Sequence, residues 1–251
     1  MLDVLILCGG KGTRSYPFTE YYPKAMMPIA GSPIIVHLMR IYASQGFTRF
    51  VLAGGHRYEV LADYLEGRYR EWDIDVVNTG EDADTGERVR RGLPHVGRRF
   101  LATYGDGLGN VDVHASIASH EAARALGTVT AAPLRSQYGT IEFDDRGRIR
   151  QFREKPLIRN CWINAGFFVF ERELIEDSDG QNLERDILPA VAAEGRLNSY
   201  RHEGFWKSMD TSKDQQEMEA LYAEAGDVAP WMNFEHACMA VGAAASSGLR
   251  V

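Results

Sequence analysis

The sequence predicts an α/β fold, a three-layer sandwich in which helices cover both faces of a mainly parallel mixed sheet. Strand-like and helix-like segments alternate through residues 1–132. Connections that pass through a helix bring successive strands into a sheet in the same direction. After residue 133 the pattern changes to two strands joined by a tight turn, which adds antiparallel pairing. A length of 251 residues suits one such domain.

The first half of the chain supplies most of the predicted sheet. The apolar run at 4–7 is followed at once by glycines, as is typical of a buried strand that ends in a loop. Ser32 and Pro33 predict a helix start, with serine as the N-cap and proline in the first turn. Asp112 is predicted to cap a later helix that ends near residue 126. The other predictions here are strands at 50–53, 74–77, 100–104 and 128–132 and a helix at 58–69.

The second half is predicted to be a smaller α+β part. The turn at 144–147 joins two strands into a hairpin. The other predictions are strands at 163–171 and 205–209 and helices at 184–193 and 212–225. These elements complete one domain over residues 1–230, and residues 231–251 are predicted to be a loosely ordered tail, rich in alanine, glycine and serine from about residue 239.

The composition excludes several classes of protein. A formal net charge of -7 disfavours a nucleic-acid partner, because such binding needs a basic face. The three cysteines have neither disulfide-framework nor metal-ligand spacing, which favours a reducing compartment. No apolar stretch approaches the roughly 20 residues of a membrane helix, and the N-terminus lacks the basic lead-in of a signal peptide. We therefore expect a cytoplasmic protein with no nucleic-acid or membrane partner.

The segment GGKGTR at 9–14 is the sharpest functional signal. It follows the first strand, and PKAMMPI occupies 23–29. Glycines at the end of a strand let backbone N–H groups surround phosphate oxygens, while Arg14 and Lys24 supply positive charge. The segment is not a Walker loop, and the incomplete GxGxxG pattern disfavours a dinucleotide-binding dehydrogenase. It therefore predicts a site for a phosphorylated ligand.

Together with later motifs, this segment resembles the signature of the sugar-1-phosphate nucleotidyltransferases. That signature reads GGxGTR…PKPMxPIxGxPI, and the chain has GGKGTR…PKAMMPIAGSPI, with Ala25 where proline is common. Further similarities are YGDG at 104–107, FREKP at 152–156, INAGFFVF at 163–170 and GFWKSMDT at 204–211. The resemblance implies a Rossmann-like fold of the nucleotide-diphospho-sugar transferase type, with a nucleotide-binding half at 1–132 and a sugar-phosphate-binding half at 133–230. It also implies Mg²⁺ as cofactor and a homo-oligomer.

The implied activity is transfer of a nucleotidyl group from a nucleoside triphosphate to a sugar 1-phosphate, with release of pyrophosphate. The segment NTGEDADTGER at 78–88 resembles VDTG…TGGRL of the glucose-1-phosphate cytidylyltransferase branch, which favours CTP and a glucose 1-phosphate-like acceptor. That branch has an additional segment before VDTG that this chain lacks. The open alternatives are dTTP, UTP, ATP or GTP as donor, an unusual sugar or cyclitol phosphate as acceptor, and a catalytically silent homologue.

The resemblance also implies individual site residues. Asp106 and Asp210 would hold Mg²⁺, Arg14 and Lys24 would contact the phosphates of the nucleotide, and Lys155 would orient the sugar phosphate. The other implied nucleotide-binding residues are Leu7, Gly9, Gly10, Gly12, Thr13, Gly80, Thr85, Arg88 and Gly105. The other implied sugar-phosphate-binding residues are Tyr138, Gly139, Glu154, Asn164 and Gly166.

Several of these residues also have an ordinary structural interpretation. Asp210 or Thr211 could cap the helix that follows, and Asp106 could be a turn residue. Arg88 and Lys155 could be solvated surface charges, and the Asn164–Gly166 segment could be a strand edge with a bulge. The structure distinguishes several of these interpretations.

Overall fold

The structure, a computed structural model, describes residues 1–226 and 228–234. Most of the predicted tail therefore lies outside the described residues. In the part of the chain that the structure describes, no helix is long and apolar enough to span a bilayer.

Strands and helices alternate along most of the chain. The strands are β1 (Val4–Leu7), β2 (Pro28–Ile29), β3 (Ser32–Pro33), β4 (Arg49–Gly54), β5 (Asp73–Asn78), β6 (Arg99–Tyr104), β7 (Gly107–Gly109), β8 (Gly127–Arg135), β9 (Thr140–Phe143), β10 (Ile149–Arg153), β11 (Leu157–Glu171), β12 (Leu197–Arg201) and β13 (Trp206–Ser208). The α-helices are α1 (Phe18–Tyr21), α2 (Ile34–Ala43), α3 (Tyr58–Leu65), α4 (Thr85–Gly92), α5 (Val113–Ala123), α6 (Glu173–Glu176), α7 (Leu188–Ala193) and α8 (Ser212–Glu224). A π-helical turn at Leu183–Ile187 precedes α7.

A seven-stranded sheet forms the centre of the molecule, in the order β12-β8-β11-β6-β1-β4-β5. β11 runs antiparallel to both of its neighbours, β6 and β8. The other neighbouring pairs in this sheet are parallel. The predicted mainly parallel mixed sheet is confirmed, and the predicted hairpin is the separate antiparallel pair β9–β10.

Two hydrophobic clusters cover the two faces of this sheet. Along β1, Val4 and Ile6 belong to one cluster and Leu5 and Leu7 belong to the other, because successive side chains of a strand point to opposite faces. The first cluster includes the buried face of α2, and the second includes residues of α4 and α7. Full burial of one such side chain contributes about 1.5–3 kcal/mol, so packing on both faces fixes the position of β1 and of the loop that follows it.

The start of α2 differs from the prediction. Ser32 and Pro33 form β3, which pairs with β2, and α2 begins at Ile34 with Pro33 as the N-cap and no side-chain capping bond. The backbone N–H of Ile34 donates to the carbonyl of Met27 at 2.9 Å. The hairpin between β2 and β3 thus holds Ser32 extended and outside the helix.

The C-terminal boundary of the domain also differs from the prediction. Trp231, which the sequence analysis assigns to the tail, is fully buried. Its ring packs against those of His37, Phe205 and Tyr222. The first residues of the predicted tail therefore belong to the hydrophobic core.

Candidate active site

The glycine segment lies where β1 ends between β4 and β6. Leu7 pairs with Ala53 on one side and with Tyr104 on the other, so the loops after these parallel strands meet at one edge of the sheet. Gly12 has a φ of +59°, and a Cβ there would lie 2.9 Å from the Cβ of Lys24. This position therefore requires glycine, and the close approach brings the lysine against the turn.

Lys24 joins the two aspartates that the sequence predicts as metal ligands. Its Nζ donates to Oδ2 of Asp106 at 2.7 Å and to Oδ1 of Asp210 at 2.6 Å. Nη2 of Arg14 lies 2.9 Å from the same Oδ1 of Asp210. Four charged groups from four separate segments thus form one cluster beside the glycine turn, which we call the charge cluster.

The two cations of the charge cluster differ in exposure. The Lys24 side chain is 13% exposed, whereas that of Arg14 is 71% exposed. Burial lowers the pKa of Lys24, but the carboxylates of Asp106 and Asp210 outweigh it and raise that pKa above its ordinary value. Lys24 therefore stays protonated at neutral pH, and Arg14 has donors free for an anionic ligand.

The two carboxylates converge on one point, since a single ammonium group contacts both. Within residues 1–226 and 228–234, no group of three or more His, Cys, Asp or Glu side chains could hold a metal ion. Mg²⁺ is commonly held by one or two carboxylates together with substrate phosphates and water. The donor set of Asp106 and Asp210 fits that ion.

The helix α8 fixes the position of Asp210. Thr211 caps α8 through a capping box with Asp214, whose Oδ2 also accepts from the backbone N–H of Asp210 at 3.1 Å. On the other side, the N–H of Met209 donates to the carbonyl of Asp106 at 2.8 Å. Of the two capping residues considered above, Thr211 is the cap, and the carboxylate of Asp210 remains in the charge cluster.

Arg88 lies behind the glycine turn. It is 4% exposed, and its Nη1 donates to the carbonyl of Gly54 and to Oγ1 of Thr79, while Nη2 donates to the carbonyl of Ala83 at 2.8 Å. A Cβ at Gly9 would collide with the Arg88 guanidinium. Through Nη1 and Nη2 this side chain supports the loop at 79–83, and the predicted contact between Arg88 and the nucleotide stays a prediction.

A set of contacts that the sequence did not predict closes the loop at 79–83 over the glycine turn. Nζ of Lys11 donates to Oδ1 of Asp82 at 2.8 Å. The His56 ring contacts Oε1 of Glu81 at 3.1 Å and the carbonyl of Thr19 at 2.7 Å. Gly80, with a φ of +86°, lies in this loop. No local spacing in the sequence signals these pairs.

The sugar side of the predicted site is built on β11. Oδ1 of Asn164 accepts from the N–H of Gly166 at 2.8 Å, and its Nδ2 donates to the hydroxyl of Tyr104 at 3.3 Å. Gly166 has a φ of +75°, and a Cβ there would collide with the Tyr104 ring. The register of β11 on β8 shifts between Asn164 and Phe168, so the bulge considered above is present and turns Asn164 toward Tyr104.

Tyr104 contacts another residue that the sequence did not predict, Glu184 in the π-helical turn. The Tyr104 hydroxyl donates to Oε1 of Glu184, and Oγ1 of Thr85 donates to Oε2 at 2.6 Å. Burial, together with the Glu184 carboxylate, raises the pKa of Tyr104, so the hydroxyl keeps its proton. Thr85, a predicted nucleotide residue, and Asn164, a predicted sugar residue, are thus connected through Glu184 and Tyr104.

Lys155 lies on the connection between β10 and β11, with a φ of +43°, and among the described residues it forms no ion pair with the charge cluster. The pKa of Glu217 on α8 lies below its ordinary value, mainly because Lys207 donates to this carboxylate at 2.6 Å. The positive charge of Lys155 lowers the same pKa more weakly. Lys155 is therefore near α8. Tyr138, nearby on the β8–β9 connection, is 78% exposed.

A family model, described as nucleotidyl transferase, matches residues 3–224 of this chain. The chain belongs to the nucleotidyl transferase family. The match covers every element from β1 to α8, which includes the whole charge cluster.

Two relatives within this nucleotidyl transferase family align over nearly their whole length. The glucose-1-phosphate cytidylyltransferase of Salmonella typhi is 33% identical over 260 residues, which cover 93% of this chain and 100% of that protein. The probable glucose-1-phosphate cytidylyltransferase of Bacillus subtilis is 33% identical over 252 residues, which cover 90% and 98%. The first alignment is longer than this 251-residue chain, so that relative has positions that the chain lacks.

A solved structure supports the same fold for this nucleotidyl transferase. The crystal structure of HddC from Yersinia pseudotuberculosis complexed with GMP-PN has a TM-score of 0.69 and 21% identity, covering 88% of this chain and 99% of that chain. This similarity confirms the predicted Rossmann-like fold class.

Proposed function

We propose that the chain transfers the cytidylyl group of CTP to glucose 1-phosphate or a closely similar sugar 1-phosphate, releasing pyrophosphate. The observation that carries the proposal is the charge cluster: two cations and two converging carboxylates beside the glycine turn. Membership of the nucleotidyl transferase family and the two relatives named as glucose-1-phosphate cytidylyltransferases support the reaction and its substrates.

The main barrier to this reaction is repulsion between two polyanions. The attacking oxygen of a sugar 1-phosphate is already anionic, so the reaction requires no general base. Two unit charges about 4 Å apart repel by about 4 kcal/mol at an effective dielectric constant of about 20, and several such pairs form when the two substrates meet. The protein must therefore supply positive charge and alignment.

Asp106 and Asp210 would hold Mg²⁺ in this proposal. When bound, the ion supplies positive charge that offsets the charge of the phosphates. Lys24 would then exchange a carboxylate for the α-phosphate, and the exposed guanidinium of Arg14 would bind the β- and γ-phosphates as pyrophosphate forms. Lys155 would orient the sugar phosphate from the side of α8.

The remaining predicted residues would bind the nucleotide at one end of the proposed site and the sugar ring at the other. The glycines that follow β1 would let the nucleotide lie against backbone N–H groups, and Gly80 and Thr85 would line the base pocket. Tyr138, Glu154 and Asn164 would contact the sugar ring. Arg88 would contribute by holding the loop at 79–83 in place.

A donor screen tests the proposed function. The purified chain is incubated with glucose 1-phosphate, Mg²⁺, inorganic pyrophosphatase and one of CTP, dTTP, UTP, ATP or GTP, and phosphate release is measured. We expect the highest kcat/KM with CTP. A preference for another triphosphate would keep the reaction class and replace the donor, and a screen with other sugar and cyclitol phosphates would test the acceptor. No phosphate release with any donor would contradict the proposal.

We also propose that the protein acts in the cytoplasm as a homo-oligomer. Cys8 and Cys161 are free thiols, as expected in a reducing compartment. Size-exclusion chromatography with light scattering tests the assembly, and a monomer at all concentrations would contradict it.

A further inference from the structure

Glu184 is an exposed carboxylate that two hydroxyl groups hold in place. Oγ1 of Thr85, at the start of α4, donates to Oε2, and the hydroxyl of Tyr104, at the end of β6, donates to Oε1. These three residues come from separate parts of the chain. In the described residues, no lysine or arginine forms an ion pair with Glu184. Hydrogen bonds from two neutral hydroxyl groups stabilise its negative charge.

The backbone around Glu184 is also fixed. The N–H of Glu184 donates to Oδ1 of Asn182 at 3.1 Å, and the N–H of Leu183 donates to Oγ1 of Thr85 at 2.9 Å. Because Thr85 accepts from Leu183, its hydroxyl proton is directed to Glu184. The carboxylate is therefore oriented before any ligand binds, which lowers the entropy cost of using it in recognition.

The carboxylate still has acceptor capacity. An ionised carboxylate can accept about four hydrogen bonds, and the structure assigns one to each oxygen. The side chain is exposed, so its remaining lone pairs are open to solvent or to a ligand. A phosphate would be repelled by this charge, whereas a neutral hydroxyl group would be a suitable donor.

The position of Glu184 identifies which hydroxyls it can meet. Thr85 belongs to the proposed base pocket, and Tyr104 connects to Asn164 of the proposed sugar site at 3.3 Å. Glu184 therefore lies at the junction of the nucleotide and sugar halves. Two ligand groups carry hydroxyls near such a junction: the ribose of the nucleotide and the ring of the sugar phosphate.

We propose that Glu184 is a specificity-determining residue that accepts a hydrogen bond from a sugar hydroxyl of the bound substrates. This inference rests on the proposed function and extends it, because it assigns substrate discrimination to a side chain outside the charge cluster. Glu184 discriminates against analogues in which its hydroxyl partner is replaced by hydrogen.

The experiment compares the wild-type chain, Glu184→Gln and the matched control Glu194→Gln. Glu194 is an exposed glutamate at the end of α7, and its one ion pair within the described part of the chain is a 3.7 Å contact with Arg196. For each protein, kcat and KM are measured with CTP against 2′-deoxy-CTP and 3′-deoxy-CTP, and with glucose 1-phosphate against its 2-, 3-, 4- and 6-deoxy analogues. Thermal unfolding of all three proteins reports on folding.

We expect the wild-type chain to prefer the hydroxylated form of one substrate by about 10- to 100-fold in kcat/KM, as for a hydrogen bond to a charged group. Glu184→Gln raises KM for that substrate, keeps kcat within about threefold and loses most of the preference. Glu194→Gln matches the wild type. The affected arm identifies the source of the hydroxyl, either the ribose or the sugar phosphate.

Two results would overturn the inference and leave the proposed function standing. One is a wild-type chain that turns over all deoxy analogues within about threefold of the parent substrates, a result that does not depend on any variant folding. The other is a Glu184→Gln enzyme with unchanged preference, or with reduced kcat alone. Absence of wild-type turnover with every donor and acceptor would contradict the proposed function itself, and this inference with it.

Discussion

Among single residues, Lys24 connects the two carboxylates of the charge cluster. Its ammonium group contacts Asp106 and Asp210, whose side chains are 35% and 28% exposed. Two partly buried carboxylates that contact the same ammonium group repel each other unless a cation lies between them. Lys24 supplies that cation, and in the proposed function Mg²⁺ would share this role.

The first prediction concerns Arg14. We expect Arg14→Ala to lower kcat/KM by about 10² or more, because it removes a charge that stabilises the departing pyrophosphate. The fold stays intact, since the Arg14 side chain is 71% exposed. Steady-state kinetics and thermal unfolding measure the two effects, with the exposed Arg150→Ala as control. Near-normal turnover by Arg14→Ala would remove this residue from the mechanism.

The second prediction concerns Lys24 itself. Lys24→Met leaves Asp106 and Asp210 without their shared cation, so we expect the free energy of unfolding to fall by about 1–3 kcal/mol. Urea denaturation with and without Mg²⁺ tests this, and added Mg²⁺ should restore part of the loss in the variant. Lys11→Met removes a charge near the glycine turn but leaves both aspartates paired, and it serves as control. Equal stability of Lys24→Met and the wild type would show that the contact does not stabilise the chain.

The residues of the charge cluster could be predicted because each lies in a short motif whose chemistry is local. GGKGTR, PKAMMPI, YGDG and SMDT each carry one charged group of the cluster. The contacts of Lys24 with both carboxylates, and those of Glu184 with Thr85 and Tyr104, could not be predicted, because they depend on how distant segments meet. The burial of Arg88 was missed for the same reason: its acceptors are mostly backbone carbonyls, which sequence patterns do not reveal.

Among the elements, α8 has a direct effect on the site, because its capping box also holds Asp210. The cap residue Thr211 follows Asp210 directly, and Oδ2 of Asp214 accepts from the N–H groups of both residues. A helix end that is fixed by its cap thereby sets the direction of a carboxylate in the charge cluster. Loss of the cap should affect activity as well as stability.

The third prediction separates these two effects. We expect Thr211→Ala to lower the free energy of unfolding by about 1 kcal/mol, the usual value of an N-cap, and to lower kcat through displacement of Asp210. Asp112→Ala is the matched control, because Asp112 caps α5 by accepting from the N–H of Ala115 at 2.8 Å. It should lose similar stability and keep wild-type kcat. Unchanged kcat in Thr211→Ala would contradict the role of the cap in the site.

The elements that the sequence predicted best are the buried strands, since runs such as FVLA at 50–53 and FLA at 100–102 are continuously apolar. Several elements were not predicted, among them α4 and β12. In α4, TGERVRRG has Val89 as its one large apolar side chain, so helical periodicity is absent. In β12, LNSYR is a mostly polar strand at the sheet edge, where pairing with β8 rather than hydrophobicity defines it. Tertiary contacts determine both.

On the scale of the whole molecule, the cations of the site lie within an acidic chain. The chain has a formal net charge of -7, and each of the cations around the glycine turn, Arg14, Lys24 and Lys11, is paired with a carboxylate of the protein. The charge cluster, with two cations and two carboxylates, is therefore neutral overall. Arg14, whose side chain is 71% exposed, can still donate to a small anionic ligand.

Buried histidines give the whole molecule a pH dependence. Burial lowers the pKa of His37, His120 and His202 in the folded chain. The unfolded chain binds protons at these sites with a pKa of about 6.5, so it binds more protons than the folded chain when the pH falls below that value. Protonation therefore favours unfolding.

The fourth prediction follows from this uptake of protons on unfolding. The free energy of unfolding should be independent of these histidines above about pH 7 and should decrease as the pH falls through about 6.5 toward 5. Urea denaturation across this range measures the slope. His202→Gln should reduce it, and the control His114→Gln, at an exposed position on α5, should leave it unchanged. Constant or rising stability on acidification would contradict the prediction.

Pyrophosphate release tests the central claim most directly, measured with CTP, glucose 1-phosphate and Mg²⁺ for the wild-type chain and Asp106→Asn. The charge cluster predicts one pyrophosphate for each CDP-sugar formed by the wild type, and a rate lower by about 10² or more in the variant. Absence of pyrophosphate from the wild type with every nucleoside triphosphate, or equal rates in the two proteins, would contradict the claim that this cluster brings two polyanions together for nucleotidyl transfer.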